Sequence, residues 1–312
     1  MSDTTFDPGL TAAQPAQRRF WEHGHLGKSA RWLFVLSLPL ILAIVLLGTA
    51  VMGVAVGAWD PSGIESGGQT DWRHLPLKTA LLSFGFIMLP FVFLLLGVIL
   101  ANKAVHGRGL RSLLTGQARF RWSQALSSLA ATLVLALAVL AAGRLLSPEN
   151  AVFVFDPQAF LVFLPLVLVL VPIQVLSEEV FFRGYLVQAV GRFVARRWVA
   201  ILVPTLLFWG AHMNNGPAIQ GGLAAVAVYG VMAFYLTFLA VTCDGLEHPF
   251  GVHLGINLFA FLIEGDAASW YPTPTVFIAE PEGYGFTLLA TIAIFLAHYF
   301  LVVRRRRDPG RA

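Results

Sequence analysis

Charged residues are scarce in this chain of 312 residues: they make up 12%, against 57% hydrophobic residues, and the mean hydropathy is +0.74. Soluble domains average about 25% charged residues, so the composition excludes an ordinary soluble domain and indicates a membrane protein. Cysteine is nearly absent, and a single residue, Cys243, excludes an internal disulfide and a cysteine-rich metal site. Residues 1–28 lack the short apolar core of a secretory signal, so we predict a flexible cytoplasmic tail.

The chain has, instead, a series of apolar runs separated by polar loops. About 20 helical residues cross ~30 Å of hydrocarbon, and these runs are continuously apolar, whereas barrel strands alternate with a period of two. We therefore predict an all-α membrane protein with about eight transmembrane helices, of which the fifth and the seventh are short. The predicted helices cover 32–58, 77–101, 122–143, 160–176, 198–211, 221–241, 251–263 and 286–303.

Lys and Arg are distributed unequally between the loops on the two sides of these helices. One side holds only Arg73, Lys78 and Arg144, together with most of the loop acids. Because cytoplasmic loops carry the excess of Lys and Arg, we predict that the other side and both termini face the cytoplasm. The asymmetry explains the net charge of +4, so we expect the bilayer of the cell (inner) membrane as a partner and no nucleic acid.

A few polar residues lie inside the apolar segments, where each is costly and is a functional candidate by default. They are Glu178, Glu179 and Arg183, then His212, and then His253 and Asn257. In a helix, residues four apart share a face, whereas neighbours point about 100° apart. Glu179 is therefore expected to pair with Arg183, which leaves Glu178 free to act as a base. The alternative interpretation is a helix end at the membrane surface whose charges meet water.

Helix lengths place these residues at comparable depths. If the fourth helix continues to Arg196, Glu178 lies roughly 27 Å from its end, and His212 lies roughly 22 Å along the fifth helix, at 1.5 Å per residue. Two antiparallel neighbours would then bring Glu178 and His212 together. His253 and Asn257 are four apart on the seventh helix and share a face. A lone His is usually a packing residue, but here several polar positions on different helices coincide.

Three motifs resemble those of a known family. Residues 178–184 read EEVFFRG and match its EExxxR motif, residues 208–212 read FWGAH and match FxxxH, and residues 253–257 read HLGIN and match HxxxN. Together and in this order they resemble the CPBP family, which comprises type II CAAX prenyl proteases and bacteriocin-processing intramembrane proteases. The resemblance covers about 165–263, roughly a third of the chain.

The resemblance implies an intramembrane endopeptidase. By similarity, Glu178 and His212 would activate a water molecule, and His253 and Asn257 would stabilise the oxyanion. Glu179, Arg183 and Phe208 would support the site structurally. Glu178, His212 and His253 also form a plausible zinc set, but no HExxH motif is present, so we favour a metal-free glutamic mechanism without a cofactor. A serine or cysteine mechanism is not supported, because no GxSxG motif is found and Cys243 lies outside the motifs.

The substrate expected from this reading is a membrane-associated peptide or protein. Two other functions stay open. The chain could be a non-catalytic scaffold or bacteriocin-immunity protein of the same family, against which the complete set of motif residues argues. It could also be a small transporter, but transporters show symmetry between two halves, and here the polar residues cluster in helices four to seven.

These interpretations divide the chain into four parts. We predict a cytoplasmic tail at 1–28, a scaffold of three transmembrane helices at 29–150, a CPBP-like catalytic core of four helices at 151–265, and a final transmembrane helix with a basic cytoplasmic tail at 266–312.

Overall fold

The computed structural model describes residues 18–59, 72–146, 151–271, 273–279 and 283–304. Within these ranges the chain is mostly helical. The continuous apolar runs require this, because a helix pairs its backbone N–H and C=O groups within the segment and leaves none unpaired in lipid. The α-helices are α1 (Arg31–Trp59), α2 (Leu77–Leu100), α3 (Arg111–Leu114), α4 (Trp122–Leu146), α5 (Pro157–Glu178), α6 (Val187–Phe193), α7 (Arg197–Ala211), α8 (Gly216–Gln220), α9 (Gly222–Thr242), α10 (Glu247–Leu262) and α11 (Tyr284–His298).

The predicted all-α membrane fold is confirmed. In the described part of the chain, six helical segments are long and apolar enough to cross a membrane: Arg31–Trp59, Leu77–Val105, Trp122–Leu146, Pro157–Phe193, Gly222–Thr242 and Tyr284–Arg304. The fifth and seventh predicted helices are α7, with 15 residues, and α10, with 16 residues. All eight predicted helices therefore exist, while eight membrane crossings and cytoplasmic termini stay predictions. The four-part division of the chain also stays a prediction.

The fourth predicted helix does not remain an α-helix over its whole length. After α5 it continues as a π-helix, Glu179–Leu186, and returns to α-helical geometry in α6, which ends at Phe193 rather than Arg196. This irregular turn carries most of the EExxxR motif, and π-helical turns occur frequently at functional sites. Gly184 lets it lie close to α3, because a Cβ atom there would be 2.7 Å from the carbonyl oxygen of Leu113.

Helix α10 packs closely against α4 through two glycines one turn apart. A Cβ atom on Gly251 would collide with the carbonyl oxygen of Ala125, and one on Gly255 would lie 2.9 Å from Cβ of Thr132. Small residues spaced in this way allow helix backbones to approach in a membrane. His253 is two residues from each glycine, about 200° around the helix, so this packing directs its side chain away from α4 and toward the π-helix.

A small sheet, which the sequence analysis did not predict, joins loops at the end of the bundle where α4 ends and α5 begins. Its strands are β1 (Ala151–Phe153), β2 (Glu264–Asp266) and β3 (Phe277–Ala279), in the order β1-β3-β2. β3 pairs antiparallel with β1 and parallel with β2. Strands of three residues are too short to show a two-residue hydrophobic period, which explains why the pattern did not indicate them.

Candidate active site

Glu178 is the last residue of α5 and points into a cavity of about 1030 Å³. It is 6% exposed, and its Oε2 atom lies 3.5 Å from Nε2 of His253. His212, His253 and Asn257 line the same cavity. The structure therefore brings together the four residues predicted to be catalytic, which come from α5, from α10 and from the turn after α7.

Glu179 points away from the cavity, as its position next to Glu178 requires. Its Oε1 atom accepts a hydrogen bond of 3.0 Å from Nη1 of Arg183, and both side chains are fully buried. Arg183 also donates from Nε to the hydroxyl oxygen of Thr237, at 3.4 Å, and its guanidinium lies 3.9 Å from the ring centre of Phe208. The ion pair expected from the spacing is thus present, and Phe208 adds a cation–π contact to it.

His253 bridges the two glutamates, a connection that the sequence analysis missed. Its Nδ1 atom lies 2.7 Å from Oε1 of Glu179, while its Nε2 atom faces Glu178. A carboxylate only accepts hydrogen bonds, so Nδ1 carries a hydrogen and donates it. Glu179 therefore accepts from both Arg183 and His253 and fixes the orientation of the imidazole ring.

Asn257 is held by Gln174, a second partner that the sequence analysis did not identify. The amide Nδ2 of Asn257 donates to Oε1 of Gln174 at 2.8 Å, and Gln174 is 6% exposed. An amide nitrogen has two hydrogens, so one remains available toward the cavity. Gln174 could have been identified from the sequence. It is a polar residue in an apolar run, and it precedes Glu178 by four positions, so the two residues share a helix face.

His212 follows the last residue of α7 and caps that helix. Its Nδ1 atom donates to the carbonyl oxygen of Phe208 at 2.7 Å, because a carbonyl can only accept. This bond leaves Nε2 without a hydrogen in the neutral ring and makes it the acceptor. The ring lies between Phe208 and Tyr229, with centroid distances of 4.2 and 5.2 Å.

The histidine and carboxylate side chains of the cavity are candidates for binding a metal ion. In the part of the chain that the structure describes, no three His, Cys, Asp or Glu side chains come together in a geometry that could hold a metal. Nδ1 of His253 is engaged by Glu179, and Nδ1 of His212 by a backbone carbonyl. Engagement of Nδ1 leaves Nε2 of each histidine available, as it also does in histidines that bind a metal, so the metal-free mechanism stays a prediction.

The cavity also reaches loop residues at the end of the bundle where the sheet lies. Arg144 pairs with Glu264 at 3.6 Å, and the hydroxyl of Tyr284 donates to Asp266 at 2.5 Å. Partial burial raises the pKa of Glu264, an effect that the nearby Arg144 opposes.

Comparisons with known proteins agree with the motif positions. The family model described as "Type II CAAX prenyl endopeptidase Rce1-like" matches residues 157–259. The uncharacterized protein YyaK of Bacillus subtilis is 27% identical over 208 residues, which cover 66% of this chain and 70% of that protein. No solved structure matches the chain. The matched segment contains all three motifs, so the resemblance to the type II CAAX protease family is confirmed over residues 157–259.

Proposed function

We propose that this protein is an intramembrane endopeptidase that hydrolyses a peptide bond of a membrane-associated peptide or protein. The observation that carries the proposal is the convergence of Glu178, His212, His253 and Asn257 on one cavity. The Rce1-like match over the same segment supports a protease of this class.

In the proposed reaction, Glu178 is the general base. A water molecule held between the Glu178 carboxylate and Nε2 of His212 loses a proton to Glu178 while its oxygen attacks the carbonyl carbon of the peptide. The C=O double bond becomes a single bond to an oxyanion. When the intermediate collapses, the C–N bond breaks and Glu178 returns the proton to the departing amine. The C=O double bond forms again, and the products are a carboxylic acid, which carries the second hydrogen of the water, and an amine.

The oxyanion would be stabilised by the two polar groups of α10. Asn257 has one amide hydrogen left after donating to Gln174, and His253 donates from Nε2 when both of its ring nitrogens are protonated. Such donors act strongly because they are already oriented and lie in a site with little water, and removal of one donor typically costs 10²–10³-fold in rate. Glu179, Arg183 and Phe208 hold the base and the donors in place.

A bilayer location and a membrane-associated substrate are part of the proposal. Glu178 lies on the segment Pro157–Phe193, which is long and apolar enough to cross a membrane, and this supports a substrate that is itself associated with the membrane. We propose the cell (inner) membrane as the location.

The test is a cleavage assay with purified protein in detergent and a library of membrane-anchored peptides, followed by mass spectrometry. Wild-type protein and the Glu178→Gln variant are compared, each with and without a zinc chelator. We expect cleavage by the wild-type protein that resists the chelator and is absent in the variant. Cleavage that the chelator abolishes would instead assign a metal to Glu178, His212 and His253.

A matched control is Glu247→Gln. Glu247 is also a buried carboxylate in an ion pair, with Arg121 at 2.9 Å, but it does not line the cavity. Activity per folded protein should persist in this variant. Absence of cleavage with every peptide, in protein shown to be folded, would favour the non-catalytic scaffold or immunity protein.

A further inference from the structure

The cavity that holds Glu178 is also lined by Tyr271, a residue with no role in the reaction described above. Tyr271 lies in the loop that connects β2 to β3. Several other residues of this loop line the cavity as well, so the loop forms part of the cavity wall. A hydroxyl group in such a position is a candidate for contact with the substrate.

The ring of Tyr271 is placed by two phenylalanines. It packs edge-on against Phe261, with ring centroids 5.0 Å apart and an interplanar angle of 85°, and it contacts Phe84 of α2 at 6.4 Å. Phe261 lies four residues after Asn257, which itself lies four residues after His253, so the three side chains project from one face of α10. The contact with Phe261 therefore places Tyr271 beside the face of α10 that carries the two proposed oxyanion donors.

The backbone around Tyr271 is held by hydrogen bonds. Its N–H donates to Oγ of Ser269 at 3.1 Å, and its carbonyl oxygen accepts from the N–H of Thr273 at 2.9 Å. The loop also packs on the start of α8, because a Cβ atom on Gly216 would collide with the carbonyl oxygen of Ala268. A donor on a fixed loop needs little reorganisation when charge develops beside it, which makes it effective in a transition state.

The hydroxyl of Tyr271 is free to donate. Within the part of the chain that the structure describes, it has no hydrogen-bond partner, whereas the hydroxyl of Tyr284 in the same cavity donates to Asp266. Burial raises the pKa of the Tyr271 hydroxyl, and the negative charge of Glu178 raises it further. The hydroxyl therefore keeps its hydrogen at neutral pH, and it lies near enough to Glu178 to be affected by the charge of that residue.

We propose that Tyr271 is a third donor to the oxyanion, in addition to Asn257 and His253. Its hydroxyl donates a hydrogen bond to the carbonyl oxygen of the substrate, and this bond strengthens as the C=O double bond becomes a single bond. Tyr271 neither gains nor loses a proton, so the hydrolysis described above keeps its balance of atoms and charge. The inference rests on the proposed function, because it assigns a further catalytic residue to that reaction.

The experiment compares the wild-type protein with Tyr271→Phe, using a library peptide that the wild-type protein cuts. The substitution keeps the ring contacts with Phe261 and Phe84 and removes only the hydroxyl. We expect kcat to fall about 10²-fold, as for the loss of one oxyanion donor. The KM and the melting temperature in detergent should stay close to the wild-type values.

The matched control is Tyr299→Phe. Tyr299 is half-buried like Tyr271 and also packs among aromatic rings, with Phe238 at 6.1 Å and Phe300 at 5.6 Å. It does not line the cavity. Tyr299→Phe should therefore cleave the peptide at the wild-type rate.

A second measurement separates a donor to the oxyanion from a structural role. A phosphinate peptide with the sequence of the cut peptide carries a tetrahedral, negatively charged group in place of the scissile amide and resembles the intermediate. Such analogues depend on the contacts that stabilise the transition state. The inhibition constant of the phosphinate should rise in Tyr271→Phe by about the factor by which kcat/KM falls, and it should stay unchanged in Tyr299→Phe.

A Tyr271→Phe protein that cleaves at the wild-type rate would overturn the inference and leave Glu178 as the proposed base. A fall in kcat without weaker binding of the phosphinate would also overturn it, because the hydroxyl would then act on something other than the oxyanion. Absence of cleavage by the wild-type protein with every peptide would overturn the proposed function and this inference together.

Discussion

Glu178 and Glu179 are chemically identical neighbours whose surroundings give them different roles. Glu179 accepts hydrogen bonds from Arg183 and His253 and is fully buried, whereas Oε2 of Glu178 accepts none from the residues described and faces the cavity. Glu179 is thus held in place by two donors outside the cavity, whereas Glu178 lines the cavity and can contact a water molecule or a substrate there. The different roles proposed for the two glutamates follow from this difference in their surroundings.

At the same scale, loss of Arg183 should destabilise the fold. Arg183→Ala leaves Glu179 buried without its ion-pair partner, which typically costs about 3–5 kcal/mol. The double variant Glu179→Gln with Arg183→Ala removes the unpaired charge as well, and we expect it to be more stable than Arg183→Ala alone. Thermal unfolding in detergent measures both. Additive losses would contradict the pairing.

Gln174 should act on the reaction through Asn257. Gln174→Leu removes the acceptor that orients the Asn257 amide, so we expect kcat to fall about tenfold with KM nearly unchanged, compared with 10²–10³-fold for Asn257→Ala. The double variant should be no slower than Asn257→Ala, an outcome that a purely structural role would not produce. Gln158→Leu, an exposed position on the same helix, is the control and should keep wild-type kinetics.

At the scale of elements, the approach of α10 to α4 positions His253 and Asn257. Gly251→Ala places a methyl group against the carbonyl oxygen of Ala125, so the backbones must separate, at a cost of about 1–3 kcal/mol, and activity should fall with stability. Gly85→Ala is the matched control, because a Cβ atom there meets nothing within 4 Å. Melting temperatures and cleavage rates of the two variants test this. Equal stability would show that the close contact is unimportant.

A second contact between elements, around His106, lies outside the membrane-spanning segments. We expect it to make the stability of the fold depend on pH. His106 joins the loop after α2 to the carbonyl oxygen of Lys28 and the hydroxyl of Tyr185, each at 3.0 Å, with Ser37, Phe34 and Arg108 around it. Burial lowers the pKa of His106 below its ordinary value of 6.5, and the positive charge of Arg108 adds to this effect. The unfolded chain therefore takes up a proton first, and stability present above pH 6.5 is lost as the pH falls below it.

The melting temperature measured from pH 7.5 to pH 5.5, about one unit on either side of the unfolded pKa, checks this expectation. The decrease should be smaller in His106→Gln than in the wild-type protein. His74→Gln, an exposed position at the other end of the bundle, should retain the wild-type slope. Identical slopes for all three proteins would show that His106 does not contribute.

Over the whole molecule, the hydrophobic pattern of the sequence predicted the helices more accurately than it predicted the candidate active site. The predicted range 198–211 differs from α7 by one residue, and the predicted range 122–143 differs from α4 by three residues at one end. The agreement is close because the length of an apolar run indicates where a membrane helix begins and ends. Two features of the structure were not predicted from the sequence, namely the π-helix and the contact between His253 and Glu179. Both depend on how α5 and α10 pack, and spacing along one helix carries no information about a partner on another.

The spacing rules still found part of the site. The Glu179–Arg183 pair follows from a separation of four residues, and it formed even though the intervening turn is π-helical. The prediction that Glu178 and His212 lie at a similar depth assumed two straight antiparallel helices. Both residues line the same cavity. Gln174 could have been found by the same rule, since it precedes Glu178 by four residues.

The proposed mechanism depends above all on Glu178 as the general base. The most direct test is kcat for a library peptide that the wild-type protein cuts, measured for wild-type, Glu178→Gln and Glu247→Gln proteins that show the same fold in detergent. We expect at least a 10³-fold loss in Glu178→Gln, within the general-base contribution of 10²–10⁴-fold, and a rate near wild type in Glu247→Gln. A Glu178→Gln protein that cleaves at the wild-type rate would contradict it.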